Sequence, residues 1–244
     1  MKHILLIMGL LAGMTATAQS KTVAKKPAAP TTKPAVKKPA APMPVERLVE
    51  ITTDYGIMIA KIYNQTPLHR DNFIKLVQSG VYDSLLFHRV IKEFMIQGGD
   101  PQSKNAGDSV MLGAGQVPGE RIPAEFRPNF FHKKGALAAA RDGNPAKASS
   151  NCQFYIVQGK PMDTAQLNTV YNQAIKQNNP AFKYSKSQRE IYERIGGTPF
   201  LDQNYTVFGE VVSGLNVIDK IASVQTRPGD RPVKNVMMKM RMLN

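Results

Sequence analysis

The chain has 244 residues, 42% hydrophobic and 20% charged, which fits a soluble globular protein with one sizeable domain. Its net charge is +14, but half of that excess lies in residues 1–44, where Lys2, Lys21, Lys25, Lys26, Lys33, Lys37 and Lys38 meet no Asp or Glu. The rest is only mildly basic, so a nucleic-acid-binding domain is not expected, and the lone Cys152 excludes an internal disulfide.

Taken in chain order, Lys2 and His3 precede the apolar run Ile4–Leu11, and Ala16-Thr17-Ala18 offers a small-x-small cleavage pattern before Gln19. The run is shorter than the ~20 residues that span a bilayer, and no Cys stands near the site. Residues 1–18 are therefore expected to be a cleaved signal peptide, not that of a lipoprotein, and the mature chain to be periplasmic or secreted. Residues 19–44 repeat Lys-Pro and Ala-Pro steps, from Lys26-Pro27 to Ala41-Pro42. Proline removes backbone donors and the lysines repel, so this segment reads as a disordered linker. Its first role is a spacer; contact with an anionic envelope surface is the second reading.

From Val45 the pattern changes. Arg47–Ile51 and Ile57–Tyr63 are β-rich runs around the turn Asp54-Tyr55-Gly56. Thr66-Pro67 opens a helix with Phe73, Leu76 and Val77 on one face, and Gly80 closes it. Strand-like runs follow at Leu85–Val90, Phe94–Gln97, Gly135–Arg141, Gln153–Val157 and Thr206–Val212. Leu215, Ile218 and Ile221 mark a second helix, and Val236, Met238, Met240 and Met242 alternate as one face of a last strand. Many strands with helices near both ends predict a mainly β domain over 45–244, closed as an antiparallel barrel.

Residues of about 161–199 break that plan. Leu167, Val170, Tyr171, Ala174 and Ile175 follow helical spacing, and Asp163 with Gln166 forms a potential capping box. Ser185 and Gln188 repeat the device before Ile191, Tyr192 and Ile195, ahead of Gly196-Gly197. An inserted helical hairpin is expected.

The segment Phe87-His88-Arg89 followed by Phe94-Met95-Ile96-Gln97-Gly98-Gly99-Asp100 closely resembles the central signature of the cyclophilins. Gln153-Phe154-Tyr155-Ile156-Val157, preceded by Ala139-Ala140-Arg141, is similar to a second family block. Phe200-Leu201-Asp202 with Tyr205–Gly209 is similar to a third. The resemblance covers Val45 to Asn244 apart from the insertion. It implies an eight-stranded barrel capped by two helices, with a proline pocket on its outer wall, and peptidyl-prolyl cis/trans isomerase activity. By position it implies Arg89 as the catalytic arginine and Phe94, Met95, Tyr155 and Leu201 as the proline pocket. Gln97, Gln153 and the backbone at Ala140 and Arg141 would bind the peptide, with Phe200 and Tyr205 completing the wall. The implied partners are proline-containing polypeptides, on which an exported isomerase would assist folding, with the chain acting as a monomer and without cofactor or metal.

Three departures stand out. Tyr155 occupies a usual Phe position, which predicts a polar tip at the pocket's edge. Tyr205 replaces a frequent His, so a titratable group there is dispensable. Phe200 replaces a frequent Trp and lacks its indole donor, so weak cyclosporin binding is expected.

Other signals carry less. His3, His69, His88 and His132 show no metal-ligand spacing. Gly113-Ala114-Gly115 lacks the strand-to-helix context of a nucleotide site. Ser149-Ser150 lacks a nucleophile elbow, and Cys152 reads as a small buried side chain. Two other function classes compete: a peptide-binding holdase whose insertion covers the groove, and an envelope or nucleic-acid binder acting through the basic tail.

Overall fold

A computed structural model describes residues 45 and 47–243; the expected signal peptide and linker lie outside the described residues. The chain runs β1 (Arg47–Thr53), β2 (Gly56–Ile62), α1 (Pro67–Gln78), β3 (Leu85–Leu86), β4 (Arg89–Ile91), β5 (Met95–Gly98), β6 (Ala136–Ala139) and β7 (Phe154–Val157). The insertion follows with α2 (Thr164–Val170), α3 (Lys176–Asn178) and α4 (Lys186–Arg194). After it come β8 (Val207–Ser213), α5 (Leu215–Ala222), β9 (Thr226–Arg227), β10 (Arg231–Pro232) and β11 (Met237–Leu243).

Nine of the strands form one curled antiparallel sheet in the order β3-β11-β1-β2-β8-β6-β7-β5-β4. The expectation of eight strands closed into a barrel is corrected here: the ladder has nine members, and its edge strands β3 and β4 share no pairing. The physical reason lies in the run expected as one strand from Leu85 to Val90. Its first part pairs with β11, and Phe87 N still donates to Val236 O at 2.9 Å. After Phe87-His88 the chain turns to β5, with Arg89 opposite Gln97. One segment thus supplies both edges.

Alternation along each strand sorts side chains to two faces. Phe154 and Ile156 join the interior core with Phe73, Leu137 and Ile96, while Tyr155 and Val157 face a second cluster with Met95, Ala138 and Leu201. Both faces of β7 are buried. Gly99 permits this close packing: its φ is +90°, and a side chain there would collide with the Cys152 carbonyl. Cys152 itself is free and 3% exposed, and burial pushes its thiol up.

Helix α1 starts as expected at Pro67, but Thr66 makes no side-chain cap. The cap comes from Glu125, 57 residues away in sequence, whose carboxylate accepts from Leu68 N at 3.2 Å and His69 N at 3.0 Å. In the insertion both capping boxes form, at Asp163/Gln166 and Ser185/Gln188. A single π-helical turn, Tyr171–Ile175, joins α2 to α3. Leu167, Ile175, Phe182, Tyr184 and Tyr192 close over Phe131 as a separate small core, so the insertion is a packed unit with its own apolar interior.

Candidate active site

Strands β4, β5 and β7, the end of β6, and the turn Pro199–Leu201 bring distant residues to one place. Arg89, Phe94, Met95, Gln97, Ala140, Arg141, Tyr155, Leu201 and Tyr205 line a single cavity of about 170 Å³. These are nine of the residues singled out in the sequence. The floor is apolar: Met95 is 2% and Tyr155 5% exposed. Tyr205 meets Tyr155 edge-on, with ring centroids 6.0 Å apart.

Two expected members stand elsewhere. Phe200 is 41% exposed and lies at the rim, its ring 5.5 Å from that of Phe94. Gln153 is buried, and its amide donates to the carbonyls of Gly113 at 3.0 Å and Gly115 at 2.8 Å while accepting from Gln97 at 3.2 Å. It therefore holds the glycine loop and orients Gln97, and lines a neighbouring groove. Arg141 is likewise occupied: its guanidinium bonds Asn204 at 3.0 and 2.9 Å and lies 4.5 Å from the Tyr205 ring centre.

Arg89 pairs with Asp230, its Nε 3.2 Å from Oδ2, with both side chains about two-fifths exposed. An exposed pair of this kind adds only ~0–1 kcal/mol to stability, so its consequence is orientation. Asp230 is itself fixed, because its carbonyl accepts from Val90 N at 2.8 Å. Sequence reasoning missed this partner: 141 residues separate the two, and the tight hairpin β9–β10 that carries Asp230 had no β signature.

Tyr155 corrects a second expectation. Its hydroxyl is turned inward, 2.9 Å from His132 Nε2, rather than lying at the pocket's edge. His132 Nδ1 sits 2.7 Å from Asp202 Oδ1, and Asp202 Oδ2 accepts from Tyr184 and Tyr192, each at 2.6 Å. A carboxylate only accepts, so His132 Nδ1 donates to it, and in the neutral ring Nε2 takes the Tyr155 O–H. His132 and Asp202 are essentially fully buried, and burial drives the hydroxyls of Tyr155, Tyr184 and Tyr192 well above the usual tyrosine range. The two tyrosines come from the insertion, and Asp202 directly follows Leu201. The insertion braces the pocket from beneath, and no residue of 161–199 lines the cavity or the grooves beside it.

One further arrangement looks chemically active. Ser149 Oγ lies 3.0 Å from His69 Nε2, and His69 Nδ1 lies 2.7 Å from Glu125 Oε2. Burial decides against nucleophilic work there. Ser149 is 1% exposed and its backbone is bridged to Ile122, so the series ties α1 to two loops. Among the described residues, no group of three or more His, Cys, Asp or Glu is placed to hold a metal ion.

Comparison with known proteins agrees with this geometry. Residues 48–241 match the sequence pattern of the cyclophilin-type peptidyl-prolyl cis-trans isomerase/CLD family. A Staphylococcus aureus protein named as a peptidyl-prolyl cis-trans isomerase is 34% identical over 191 residues, 78% of this chain and 88% of that one. A Streptococcus pyogenes protein named as a bifunctional phosphatase/peptidyl-prolyl cis-trans isomerase is 33% identical over 203 residues, 78% of this chain but 37% of its own. In fold, the chain is similar to a crystal structure of a Cryptosporidium parvum cyclophilin-type isomerase, with TM-score 0.57 at 23% identity, covering 82% of this chain and 99% of that one. The same protein in the presence of the dipeptide Ala-Pro gives TM-score 0.56 at 22% identity, covering 81% and 99%. A match spanning nearly the whole described chain, on a sheet that gathers the signature residues around one slot, places this chain in the cyclophilin-type peptidyl-prolyl cis-trans isomerase family.

Proposed function

We propose that the chain catalyses cis/trans isomerisation of X–Pro bonds in polypeptides, with Arg89 as the catalytic residue. The observation that carries the reading is the sharing of one cavity by the Arg89 guanidinium and the apolar walls Phe94, Met95, Tyr155 and Leu201. The partial double bond of a peptide imposes a rotation barrier of ~18–20 kcal/mol. No nucleophile or water is needed to lower it. The twisted amide must be bound better than either planar form.

In the twisted state the prolyl nitrogen becomes pyramidal and its lone pair localises. A guanidinium aimed at that nitrogen stabilises this state selectively, in a slot partly shielded from water. The apolar walls hold the pyrrolidine ring while the acyl side rotates. Gln97 and the Ala140–Arg141 backbone bind the flanking chain, Gln153 supports Gln97, and Phe200 and Tyr205 complete the wall. Each tenfold in rate corresponds to ~1.4 kcal/mol, so a hundred-thousand-fold gain asks for about 7 kcal/mol.

The substrates we assign are exported proteins during folding, in the periplasm or outside the cell, with the domain acting as a monomer. What supports this is the signal-peptide pattern of residues 1–18 and the Lys/Pro/Ala-rich linker 19–44. We assign the linker the role of a spacer.

The test compares prolyl exchange on an Ala-Pro peptide, by NMR, for wild type and Arg89→Ala. The variant is expected to lose at least about a hundredfold of the catalysed rate, the scale of a lost transition-state donor. Equal rates would remove Arg89 from the mechanism.

A further inference from the structure

A second groove, about 690 Å³ in volume, shares Arg89 and Gln97 with the candidate pocket. Two side chains lining it carry polar atoms with no hydrogen-bond partner among the described residues. His88 is 3% exposed, and neither ring nitrogen meets hydrogen-bond geometry, although the Leu86 carbonyl acts on the ring. Arg231 is 6% exposed, and its Nε is unpartnered. Buried polar groups are almost always satisfied, so the base of this groove is polar and incompletely matched, unlike the apolar floor of the first pocket.

The wall opposite is apolar and open to water. Met111 is 92% and Val110 42% exposed, and both line the groove. Their loop is nonetheless held firmly by the hairpin β9–β10. Arg231 donates to the carbonyls of Gly107 and Val110, each at 2.9 Å, and Arg227 donates to Asp108 O at 3.2 Å. The same hairpin supplies Asp230 to Arg89. One small element thus sets both the arginine of the candidate site and the apolar wall beside it.

From this we infer that the groove is a specificity subsite, taking a large apolar or aromatic side chain that a client carries next to its Ala-Pro or other X–Pro step. The inference rests on the reading of Arg89 as the group that meets the prolyl bond. Continuity gives the occupant: consecutive Cα atoms are about 3.8 Å apart, so with one flank of the proline along Ala140–Arg141, a residue on the other flank is within reach of the groove that shares Arg89. Charge gives its chemistry. The open guanidinium groups are already matched, Arg89 by Asp230 and Arg227 by Asp108, so no uncompensated cation calls for an acidic residue. A thioether beside planar guanidinium groups favours an aromatic ring, and Met111 with Val110 supplies the exposed apolar surface that such a ring would cover.

The experiment measures catalysed exchange on Gly-Ala-Pro-Gly, Phe-Ala-Pro-Gly and Gly-Ala-Pro-Phe, using the full domain and a Val110→Ser, Met111→Ser double variant. One Phe-bearing peptide is expected to exceed the all-glycine peptide in kcat/KM by about tenfold, the effect of partly burying one aromatic ring. That ratio should fall to about one in the variant. No preference in wild type, or a ratio kept by the variant, overturns the subsite. The Met111 methyl resonance gives a reading independent of turnover: it should shift with the preferred Phe peptide and stay put with the glycine one. A shift without any catalysis would sink the isomerase reading and leave the groove standing; catalysis without a shift would do the reverse.

Discussion

The Tyr155 hydroxyl lies 2.9 Å from His132 Nε2, joining the wall of the proline slot to a buried carboxylate, Asp202, and through it to two tyrosines of the insertion. A residue that differs from the family's usual Phe by one oxygen is thereby tied to a segment that the rest of the family signature does not include. Asp202 has four donors from two residues of the insertion and from His132, and it sits at the end of the turn that presents Phe200 and Leu201.

Removing both insertion hydroxyls, as Tyr184→Phe with Tyr192→Phe, should therefore loosen the pocket. Hydrogen bonds to a carboxylate are worth roughly 1.5–3 kcal/mol each, and the buried acceptor left behind adds cost, so stability should fall by about 3–5 kcal/mol in urea unfolding. KM for an Ala-Pro peptide should rise more than kcat falls, because ring-holding is lost while Arg89 stays. Tyr155→Phe is the contrasting case. It leaves one His132 nitrogen unmet, costs about 1–2 kcal/mol, and keeps turnover within a fewfold of wild type.

Asp230 has a left-handed backbone, φ +61°, which Asn tolerates better than most residues. Asp230→Asn should leave stability within about 0.5 kcal/mol, since the pair is exposed. Turnover should drop roughly two- to fivefold with KM little changed, because the guanidinium loses its aim. The split between kcat and KM, read from progress curves at several peptide concentrations, separates orientation from binding.

Burial pulls His88 down to about 4, the nearby positive charges of Arg89 and Arg231 adding a smaller push. Its unfolded value is near 6.5. Between those values the unfolded chain binds the proton and the folded chain does not, so folding stability from this group is complete above about pH 6.5 and falls as pH drops toward 4. The full swing is about 3 kcal/mol. His69, also lowered by burial first, titrates in the same sense. The comparison that isolates His88 is the difference in urea midpoint between pH 7 and pH 4.5, which should be smaller in His88→Gln than in wild type.

Phe200 stands at the rim, 41% exposed, with no donor to offer a cyclic peptide carbonyl. Cyclosporin should bind weakly. Phe200→Trp should tighten it about tenfold, the worth of one hydrogen bond of ~1.4 kcal/mol. Calorimetry giving equal affinity for the two proteins would refute this.

Much of this was legible in the residues. β-rich runs located most of the strands, period-two alternation marked the last one, and the helices at Pro67–Gln78 and Leu215–Ala222 began where Pro67 and Leu215 indicated. The two capping boxes of the insertion, being contacts three residues apart, formed as spelled out in the sequence. The hairpin β9–β10 escaped notice because its strands are two residues long, too short for any alternation to show.

The sequence alone determined local matters: the type of most elements, the two capping boxes of the insertion, the signature from Phe87 to Asp100, and with it most of the side chains that gather at the slot. Only the tertiary structure decided where polar groups find partners. Glu125 caps a helix 57 residues away, Asp230 aims Arg89 from 141 residues away, and His132 turns the Tyr155 hydroxyl inward. The physical reason is range. Propensity and periodicity act over a few neighbouring residues, whereas a buried donor accepts whichever partner the curled sheet brings within 3 Å, and nothing in the intervening chain announces that meeting.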